Sequence, residues 1–334
     1  MPTLIPSPTG VLGDPRLDPK VQNGFRAEEV IAGDSPLLWL DRPASSLRNF
    51  SIMNQNGSSA CVAFAKAKQL AIEIFLQTGV YIELSPASIY QLRINRPGLG
   101  MQISDANNIV NTRGATLEAL MKSQNLTEAQ IHAVKRSKVA DLLALALAEA
   151  VVSYFYFPTV DIDKIAQAIE TGKGVSLLIF ANFNEYDSDP AILQPSLTYE
   201  DAQIKHEVVA VDYMLRQGTK TLWIEDSWGV GNGMGGRREF SEAFVEKRVI
   251  LADFLSVLDF EGGVGEKPQY DGTIISLQKC LRFEGLFPLD VPLAETYGPV
   301  TKASVIKFQK KYGIEPALGN FGPVTKAKVK SLYP

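Results

Sequence analysis

Cysteine and histidine are scarce in this chain, whose 334 residues include two of each. The cysteines, Cys61 and Cys280, lie far apart, and Cys280 occupies a core position of a helix-forming stretch, so we expect no disulfide. Zinc sites are built from several cysteine and histidine ligands at short spacing. Because neither histidine lies close to a second ligand, the sequence predicts no metal site and no cofactor.

Long apolar segments are also missing. The most hydrophobic stretch lies within residues 127–150, where Lys135, Arg136, Asp141 and Glu149 leave an apolar part too short to span a bilayer. The first residues have neither a basic nor an apolar region, so we expect synthesis in the cytoplasm without a signal peptide. No recognition motif or interleaved aromatic-basic pattern is present. We therefore expect no membrane span and no nucleic-acid partner.

A glycine-rich stretch late in the chain predicts a domain boundary. Residues 261–272 contain Gly-Gly-Val-Gly-Glu-Lys-Pro and have the composition of a linker. In residues 35–260 helix-forming segments precede strand-forming segments, which favours an α+β domain. Residues 1–34 are rich in proline, glycine and aspartate without a hydrophobic period and predict an extended arm. Residues 273–334 are expected to form a second, small domain.

A polar turn followed by a helix-forming run carries the most specific signal. Within it, Ser58 and Ser59 are suitable N-cap residues. Cys61 then falls in the first helical turn, where unpaired N–H groups and the helix dipole favour a thiolate over a thiol. Gln55 can offer its side-chain amide as a hydrogen-bond donor at the same point. The alternative interpretation is that Cys61 is a small buried hydrophobic residue, as most free cysteines are.

A base for this cysteine must come from one of the two histidines. His132 lies in a helix-forming stretch and is interpreted as a solvated or packing residue. His206 begins a strand-forming run, and residues 216–219 form a turn that leads into a second strand. Pairing the two strands as a hairpin brings Asp226 near His206. The carboxylate can then accept a hydrogen bond from one imidazole nitrogen while the other faces Cys61.

Both segments resemble the active-site sequences of papain-like cysteine peptidases. In that family a glutamine precedes the nucleophilic cysteine and an Ala-Phe pair follows it, as Gln55, Cys61, Ala63 and Phe64 do here. The family's Asn-Ser-Trp-Gly motif is matched by residues 226–229, which read Asp-Ser-Trp-Gly. The resemblance therefore extends to both halves of the site, with aspartate in the place of asparagine.

The resemblance implies a two-lobed papain-like fold, with a helical lobe and an antiparallel β lobe. It makes Cys61 the nucleophile, Gln55 a donor to the oxyanion and His206 the base. Asp226 would orient the imidazole, and Trp228 would shield the Asp–His bond from water. The supporting positions are Ser227, Trp228 and Gly229. A carboxylate stabilises an imidazolium more strongly than an amide does, which favours the thiolate–imidazolium pair but can hold the proton too firmly for transfer.

Periodicity and capping residues predict the other elements. Ser85 and Pro86 mark the start of a short helix. The arm over 1–34 lacks the length and the helices of the family's inhibitory prosegments. We expect helices over 60–78, 116–122, 127–150 and 163–171, a loop over 98–114, and strands over 174–180, 206–214 and 222–229.

The tail contains an internal repeat. Tyr-Gly-Pro-Val-Thr-Lys-Ala at 297–303 recurs as Phe-Gly-Pro-Val-Thr-Lys-Ala at 321–327, and each copy leads into a helix with proline at its first position. With a Leu-Gln at its start and a Phe-Gln between the copies, residues 273–334 resemble small three-helix peptidoglycan-binding domains. This implies peptidoglycan or another anionic wall polymer as partner, with Tyr297 and Phe321 as candidate contacts. A docking module for another protein is the alternative.

Charge is distributed unevenly along the chain. From Thr273 onward nine lysines and arginines face four acidic residues, although the whole chain carries a net charge of −4. A basic tail favours an anionic partner.

Together these features predict a cysteine endopeptidase that is directed to the bacterial cell wall by its tail or is carried as a phage or virion component. Papain-like sites favour L-peptides whereas wall stem peptides contain D-residues, so either wall peptides or wall-associated proteins could be the polypeptide substrate. The alternative function is a catalytically inactive papain-fold protein that binds the wall or builds a virion.

Overall fold

One long helix, α1 (Cys61–Thr78), organises the larger part of the molecule. The computed structural model describes residues 10–14, 16, 18, 20, 25–27, 37–135, 152–187, 193, 196–257, 269–288, 291 and 293–333. These residues form ten α-helices and a seven-stranded sheet. The chain divides into two compact units, Met1–Val257 and Leu258–Pro334, which we call unit 1 and unit 2.

Within unit 1, α2 and α3 pack against α1 on one side and the sheet packs against α1 on the other. Small buried residues on α1, among them Ala63, Ala67 and Ala71, permit this close packing. None of the described helices is both long enough and apolar enough to cross a membrane. After α1, the helices of unit 1 are α2 (Pro86–Tyr90), α3 (Ile103–Arg113), α4 (Glu128–Ala133), α5 (Ile162–Glu170), α6 (Phe183–Asp187) and α7 (Glu242–Arg248).

The start of α1 lies where the sequence predicted it, but its capping differs. Ala60 is the N-cap residue, and no side chain caps the helix. Ser58 and Ser59 are fully buried in the preceding turn, and the backbone N–H of Ser59 donates to the carboxylate of Glu128. The predicted serine cap was therefore wrong, because both serines belong to the turn.

Three other predictions need correction, one of a loop and two of helices. The loop predicted over 98–114 is largely α3, whose buried Ile103, Ala106, Ile109 and Val110 follow helical spacing. Two adjacent asparagines weaken helix propensity there and concealed the pattern.

Residues 116–122 form turns instead of a helix, and Glu118 accepts hydrogen bonds from the backbone N–H groups of Ser123 and Gln124. The helix predicted over 127–150 ends at Ala133 because Val134 is extended. The part of that prediction over 136–150 lies outside the described residues, as do most of the arm and residues 261–268 of the linker.

The strands form one sheet in the order β1-β2-β7-β3-β4-β5-β6. Only the β1–β2 pair is parallel, and every other neighbouring pair is antiparallel. The predicted strand over 174–180 and helix over 163–171 are confirmed to within a residue or two. A helical part and an antiparallel sheet confirm the α+β class. The strands are β1 (Phe25–Arg26), β2 (Val152–Tyr156), β3 (Val175–Ala181), β4 (Ile204–Arg216), β5 (Thr219–Glu225), β6 (Arg237–Ser241) and β7 (Val249–Val257).

The predicted hairpin is formed by β4 and β5. Its two-residue turn consists of Gln217 and Gly218, whose φ angles of 50° and 80° are typical of a type I′ turn. The pairing shifts by one residue between Ala210 and Asp212, which is a β-bulge. Beyond the bulge the hairpin continues to the end that carries His206 and Asp226.

Buried ion pairs join α1 to the sheet next to the end of the hairpin that carries His206 and Asp226. The ammonium group of Lys66 is completely buried and pairs with Asp253 and, at 3.1 Å, with Glu207. Lys68 pairs with Glu225 at 2.7 Å. Buried charges are tolerated only when they are paired. Because Glu207 follows His206 and Glu225 precedes Asp226, these pairs fix both strands of the hairpin against α1.

Unit 2 contains α8 (Ile274–Phe283), α9 (Pro299–Lys311) and α10 (Pro323–Leu332) among its described residues. Its repeat has a structural basis. Gln278 donates from its side-chain amide to the hydroxyl of Thr301, and Gln309 does the same to Thr325, both at 2.9 Å. Each glutamine thus ties a helix to the Gly-Pro-Val-Thr turn that starts the next one.

Candidate active site

Cys61 is the first residue of α1 and is 1% exposed. Two backbone N–H groups lower the pKa of its thiol, those of Val62 in the same helical turn and Glu207 in β4. The second contact joins the helix to the strand at the residue that follows His206. The cysteine of the helical lobe and the histidine of the sheet therefore lie at the same junction.

The buried thiol differs from the sequence prediction in its ionisation. Burial raises the pKa of Cys61 to about 12, and the N–H groups of Glu207 and Val62 oppose this shift only in part. Helix N-termini lower thiol pKa values where the thiol is hydrated. The prediction that the helix dipole favours a thiolate was wrong for this structure, because the loss of hydration outweighs the dipole.

His206 and Asp226 form the hydrogen bond that the hairpin predicts. Nε2 of His206 lies 2.9 Å from Oδ1 of Asp226, and both side chains are at most 3% exposed. An ionised carboxylate only accepts hydrogen bonds, so Nε2 carries the proton. This assigns the tautomer of His206 and leaves Nδ1 as the nitrogen that can accept a proton.

Two aromatic rings enclose this hydrogen bond. The ring of Trp228 lies 4.9 Å from the imidazole of His206 at an angle of 30°, and the ring of Tyr186 lies 6.0 Å from it, edge on. Trp228 is 4% exposed and Tyr186 is 2% exposed. The two rings separate the Asp226–His206 bond from water.

Gln55 is linked to the same strand end through Ser227. The hydroxyl of Ser227 donates to Oε1 of Gln55 at 2.6 Å, and the backbone N–H of Gln55 donates to the carbonyl of Ser227 at 2.8 Å. The amide nitrogen of Gln55 donates to the carbonyl of Ser58. A side-chain amide has two hydrogens, so this bond uses one of the two.

Gly229 closes the segment that follows Asp226. Its φ is 81°, and a β-carbon at this position would lie 2.9 Å from the side chain of Asn54. Its N–H donates to the carbonyl of Met53 at 3.0 Å. Glycine is required here because the chain must pass directly beside the turn that carries Gln55.

The N-terminal arm covers the thiol. Gly10 is buried against Cys61, and a β-carbon built on Gly10 would lie well inside 3.0 Å of Sγ and 3.0 Å from the carbonyl oxygen of Ser59. The backbone of the arm pairs with Met101 through two hydrogen bonds, in which Met101 N–H donates to Gly10 O at 2.9 Å and Leu12 N–H donates to Met101 O at 3.2 Å. Val11 forms a bridge with Met101, and Gly10 beside it lies across the candidate nucleophile.

Further contacts hold the arm along unit 1. The hydroxyl of Tyr199 donates to the carbonyl of Gly13 at 2.8 Å, and the guanidinium of Arg16 lies over the same ring. Ser104 donates to the carboxylate of Asp18. Val11 is 5% exposed and belongs to the hydrophobic core around α1. Sequence patterns do not indicate these contacts, because the arm has no hydrophobic period.

Sequence reasoning also missed two residues that contact Asp226. The hydroxyl of Tyr186 donates to Oδ2 of Asp226 at 2.8 Å, and Nε of Arg238 donates to the same oxygen at 2.9 Å. The sequence of β6 contains an indication of Arg238. It lies two residues before the buried Phe240, so both side chains are on the core face of the strand. A charged residue on the core face of a strand indicates a buried partner of opposite charge.

The remaining predicted residues lie elsewhere. His132 pairs with Glu128 at 2.6 Å and lies 2.9 Å from Arg93, in agreement with a packing role. In unit 2, Tyr297 and Phe321 are half-buried against the hydrophobic cluster, and the hydroxyl of Tyr297 donates to the carbonyl of Gly319 at 2.7 Å. Both aromatic residues therefore contribute to packing, and a contact with a ligand stays a prediction.

No protein-family model and no curated protein matches the chain. Several solved structures do. Xylellain, a cysteine protease from Xylella fastidiosa, is similar with a TM-score of 0.56 and 17% identity, over 75% of this chain and 97% of its own.

Digestive procathepsin L 3 from Tenebrio molitor larval midgut is similar with a TM-score of 0.53 and 16% identity, over 70% of this chain and 76% of its own. The proform of the ragweed pollen cysteine protease Amb a 11 has a TM-score of 0.51 and 16% identity, over 71% of each chain. The fold is that of papain-like cysteine proteases, as the sequence predicted.

Proposed function

We propose that this chain is a cysteine peptidase with Cys61 as nucleophile, His206 as base and Asp226 as the group that orients the base. The observation that carries the proposal is the buried 2.9 Å hydrogen bond between His206 Nε2 and Asp226 Oδ1, at the strand end where the backbone N–H of the next residue, Glu207, lowers the pKa of Cys61. A nucleophile, a base and an orienting group within one junction form the arrangement that acyl transfer needs.

The first half of the reaction forms an acyl-enzyme. The proton of the Cys61 thiol moves to Nδ1 of His206, and the sulfur attacks the carbonyl carbon of a peptide bond. The backbone N–H of Cys61 and the second amide hydrogen of Gln55 donate to the oxyanion that develops. His206 then gives its proton to the departing amine, the C–N bond breaks, and a thioester remains on Cys61.

The second half releases the acid. His206 takes a proton from a water molecule, which attacks the thioester carbonyl, and the same two donors bind the oxyanion again. The C–S bond breaks, and the proton returns from His206 to the sulfur. Throughout, Asp226 accepts the Nε2 hydrogen and keeps the imidazole in one tautomer.

The arm must leave the thiol before a substrate can enter. Gly10 lies over Cys61, and its carbonyl oxygen accepts from the N–H of Met101 at 2.9 Å. This part of the arm therefore blocks the approach to the nucleophile. We infer that the structure corresponds to a latent form.

An epoxide that reacts irreversibly with activated thiols tests the catalytic proposal. We expect stoichiometric labelling of Cys61 by peptide mass spectrometry and none of Cys280, which is buried in unit 2. Labelling should be lost in His206→Ala. Because the arm covers the thiol, the measurement is made in the parent chain and in Gly10→Ala. If Cys61 reacts in both no faster than free cysteine does, the chain is an inactive scaffold.

Hydrolysis of unstructured proteins and of fluorogenic peptides by Gly10→Ala then tests the substrate class. Cleavage that is absent in Gly10→Ala/Cys61→Ala supports a polypeptide substrate. Cleavage of purified wall peptides but not of proteins would identify the wall peptides as the substrate.

For unit 2 we propose binding to peptidoglycan or another anionic wall polymer. Lys302, Lys307 and Lys326 are among several exposed lysines on α9 and α10, and a basic surface attracts anionic polymers. Co-sedimentation with purified sacculi should be strong for the full chain and weak for a chain that ends at Gly265, and it should weaken as salt is added. Equal sedimentation of both chains would exclude this role and leave a docking module for another protein.

A further inference from the structure

The carboxylate of Asp226 has three partners that divide its two oxygens. Oδ1 is bound by His206 Nε2, whereas Oδ2 accepts from the hydroxyl of Tyr186 and from Nε of Arg238. With Oδ2 held by two donors, the carboxylate cannot rotate without breaking both bonds. The orientation of Oδ1 toward His206 is therefore fixed from the opposite side.

Arg238 is itself held rigidly. It is 6% exposed, its Nη1 donates to the carbonyl of Tyr186 at 2.6 Å, and its guanidinium lies 3.9 Å from the centre of the Tyr186 ring. A second carboxylate, that of Asp187, lies 3.3 Å away, but its side chain is 58% exposed. Solvent weakens that pair, so Asp226 is the partner that compensates the buried charge of Arg238.

We propose that Arg238 is a positioning residue that balances the charge of Asp226, so that the carboxylate serves His206 as the neutral amide of papain-like sites does. This inference rests on the proposed function of the site. A thiolate, an imidazolium and an amide together carry no net charge. Replacing the amide with a carboxylate adds one negative charge to a buried site. The positive charge of the Arg238 guanidinium compensates it.

The ionisation of Asp226 agrees with this pairing. Burial alone would raise the pKa of the carboxyl, yet the pKa of Asp226 lies below its ordinary value because His206 and Arg238 favour the charged form. Without Arg238 the whole charge of Asp226 would act on His206 and stabilise the imidazolium, which then gives up its proton less readily.

The charged groups around His206 other than Asp226 and Arg238 have partners of their own. Glu207, its neighbour in β4, is paired with Lys66 and hydrogen-bonded by Ser176. On the neighbouring elements, Tyr186 and Arg238 contact Asp226. Glu185 pairs with Arg248, Glu225 pairs with Lys68 and Arg237, and Lys205 lies over the ring of Tyr199.

The test measures the protonation of His206 directly. In the full chain labelled with ¹⁵N-histidine, the two histidines give separate ring signals, and His132 is the internal reference. The pH midpoint of the His206 signal is compared in the parent chain, Arg238→Met, Asp226→Asn and the double variant. Arg238→Lys retains the charge and serves as the conservative control.

We expect opposite shifts in the two single variants. Arg238→Met removes a cation and should raise the midpoint, whereas Asp226→Asn removes an anion and should lower it. The double variant should return toward the parent value, and Arg238→Lys should stay near it. In the parent the ring should show the Nε2–H tautomer.

An unchanged midpoint in a folded Arg238→Met, or shifts of the same sign in both single variants, would overturn the proposal and leave Arg238 a packing residue. Where Arg238→Met alone does not fold, Asp226→Asn and the double variant carry the test. The second change then removes the cation with no buried anion left behind, and it should raise the midpoint. These signals do not depend on peptidase activity, so a chain that fails the epoxide test can still pass this one.

Discussion

Replacing Gly10 with alanine is expected to uncover Cys61. The new β-carbon would lie well inside 3.0 Å of the sulfur and 3.0 Å from the carbonyl oxygen of Ser59, and non-bonded atoms do not approach so closely. Because Cys61 is the first residue of α1 and Ser59 lies in the buried turn before it, the arm is the part that must move. A shift sufficient for the methyl group breaks the two backbone hydrogen bonds with Met101.

The size of the effect follows from those two bonds. Each contributes about 0.5–1.5 kcal/mol, so the covered state should lose roughly 1–3 kcal/mol relative to the open state. This corresponds to a rise of about 5- to 150-fold in the fraction of molecules with an accessible thiol. This range counts only the two hydrogen bonds. If the shift also removes Val11 from the core, the covered state loses more stability, so the range is a lower estimate.

The assay is the rate at which iodoacetamide alkylates Cys61, followed by peptide mass spectrometry with Cys280 as internal reference. Gly231→Ala is the control, because a β-carbon there meets no atom within 4 Å. Gly100→Ala should act like Gly10→Ala from the opposite side, since its β-carbon would lie 2.9 Å from the carbonyl oxygen of Gly10.

The pH dependence provides a second readout of the same change. Only the thiolate reacts, and burial raises the pKa of Cys61 to about 12. In the parent chain the rate should therefore keep rising through alkaline pH, whereas in Gly10→Ala it should level off at a lower pH because the thiol is hydrated. If a folded Gly10→Ala reacts at the parent rate with the parent profile, the arm does not control access to the thiol.

Two further substitutions test how the site is held. Gly229→Ala places a β-carbon 2.9 Å from Asn54 at a φ of 81° and should lower the free energy of unfolding by at least about 1–2 kcal/mol, measured by denaturant titration; an unchanged midpoint would mean that the turn adapts. Lys66→Met leaves Glu207 and Asp253 without their buried cation and should cost about 3–5 kcal/mol at neutral pH. Burial already raises the pKa of Glu207, so protonation should remove part of the penalty as the pH falls, and an equal loss at pH 5 and pH 8 would contradict this reasoning.

The parts of the site that the sequence predicted are those set by local pattern. Alanines at helical spacing and a polar turn locate the start of α1 and with it Cys61. Arg-Gln-Gly-Thr predicts a tight hairpin, and the length of its two-residue turn fixes the register, which brings Asp226 to the level of His206. The bulge at Val211 could not be predicted, and it changes the register because it lies between the turn and the site: Ala210 pairs with Ile224, whereas the turn alone would pair it with Glu225. This shift by one residue places His206 and Asp226 on the same face of the hairpin.

The parts that the sequence did not predict depend on contacts between distant segments. The arm has no period, and its position is set by Met101, Tyr199 and Ser104, which lie far away in the chain. Arg238 was recognisable as a charge on a core-facing position, but only the fold shows that its partner is Asp226. Long-range backbone pairing and buried ion pairs of this kind leave little trace in a single sequence.

The wrong prediction for Cys61 and the unpredicted arm have one physical cause. The helix dipole and the N–H groups of Val62 and Glu207 act on the thiol in this structure too, but they are outweighed by burial, and Gly10 contributes to that burial. Displacing the arm hydrates the thiol and leaves the dipole and the N–H groups in place, so the pKa of Cys61 must fall. The arm therefore reduces reactivity twice, by blocking approach and by keeping the thiol protonated. On the proposed function, the movement that admits a substrate would therefore also activate the nucleophile.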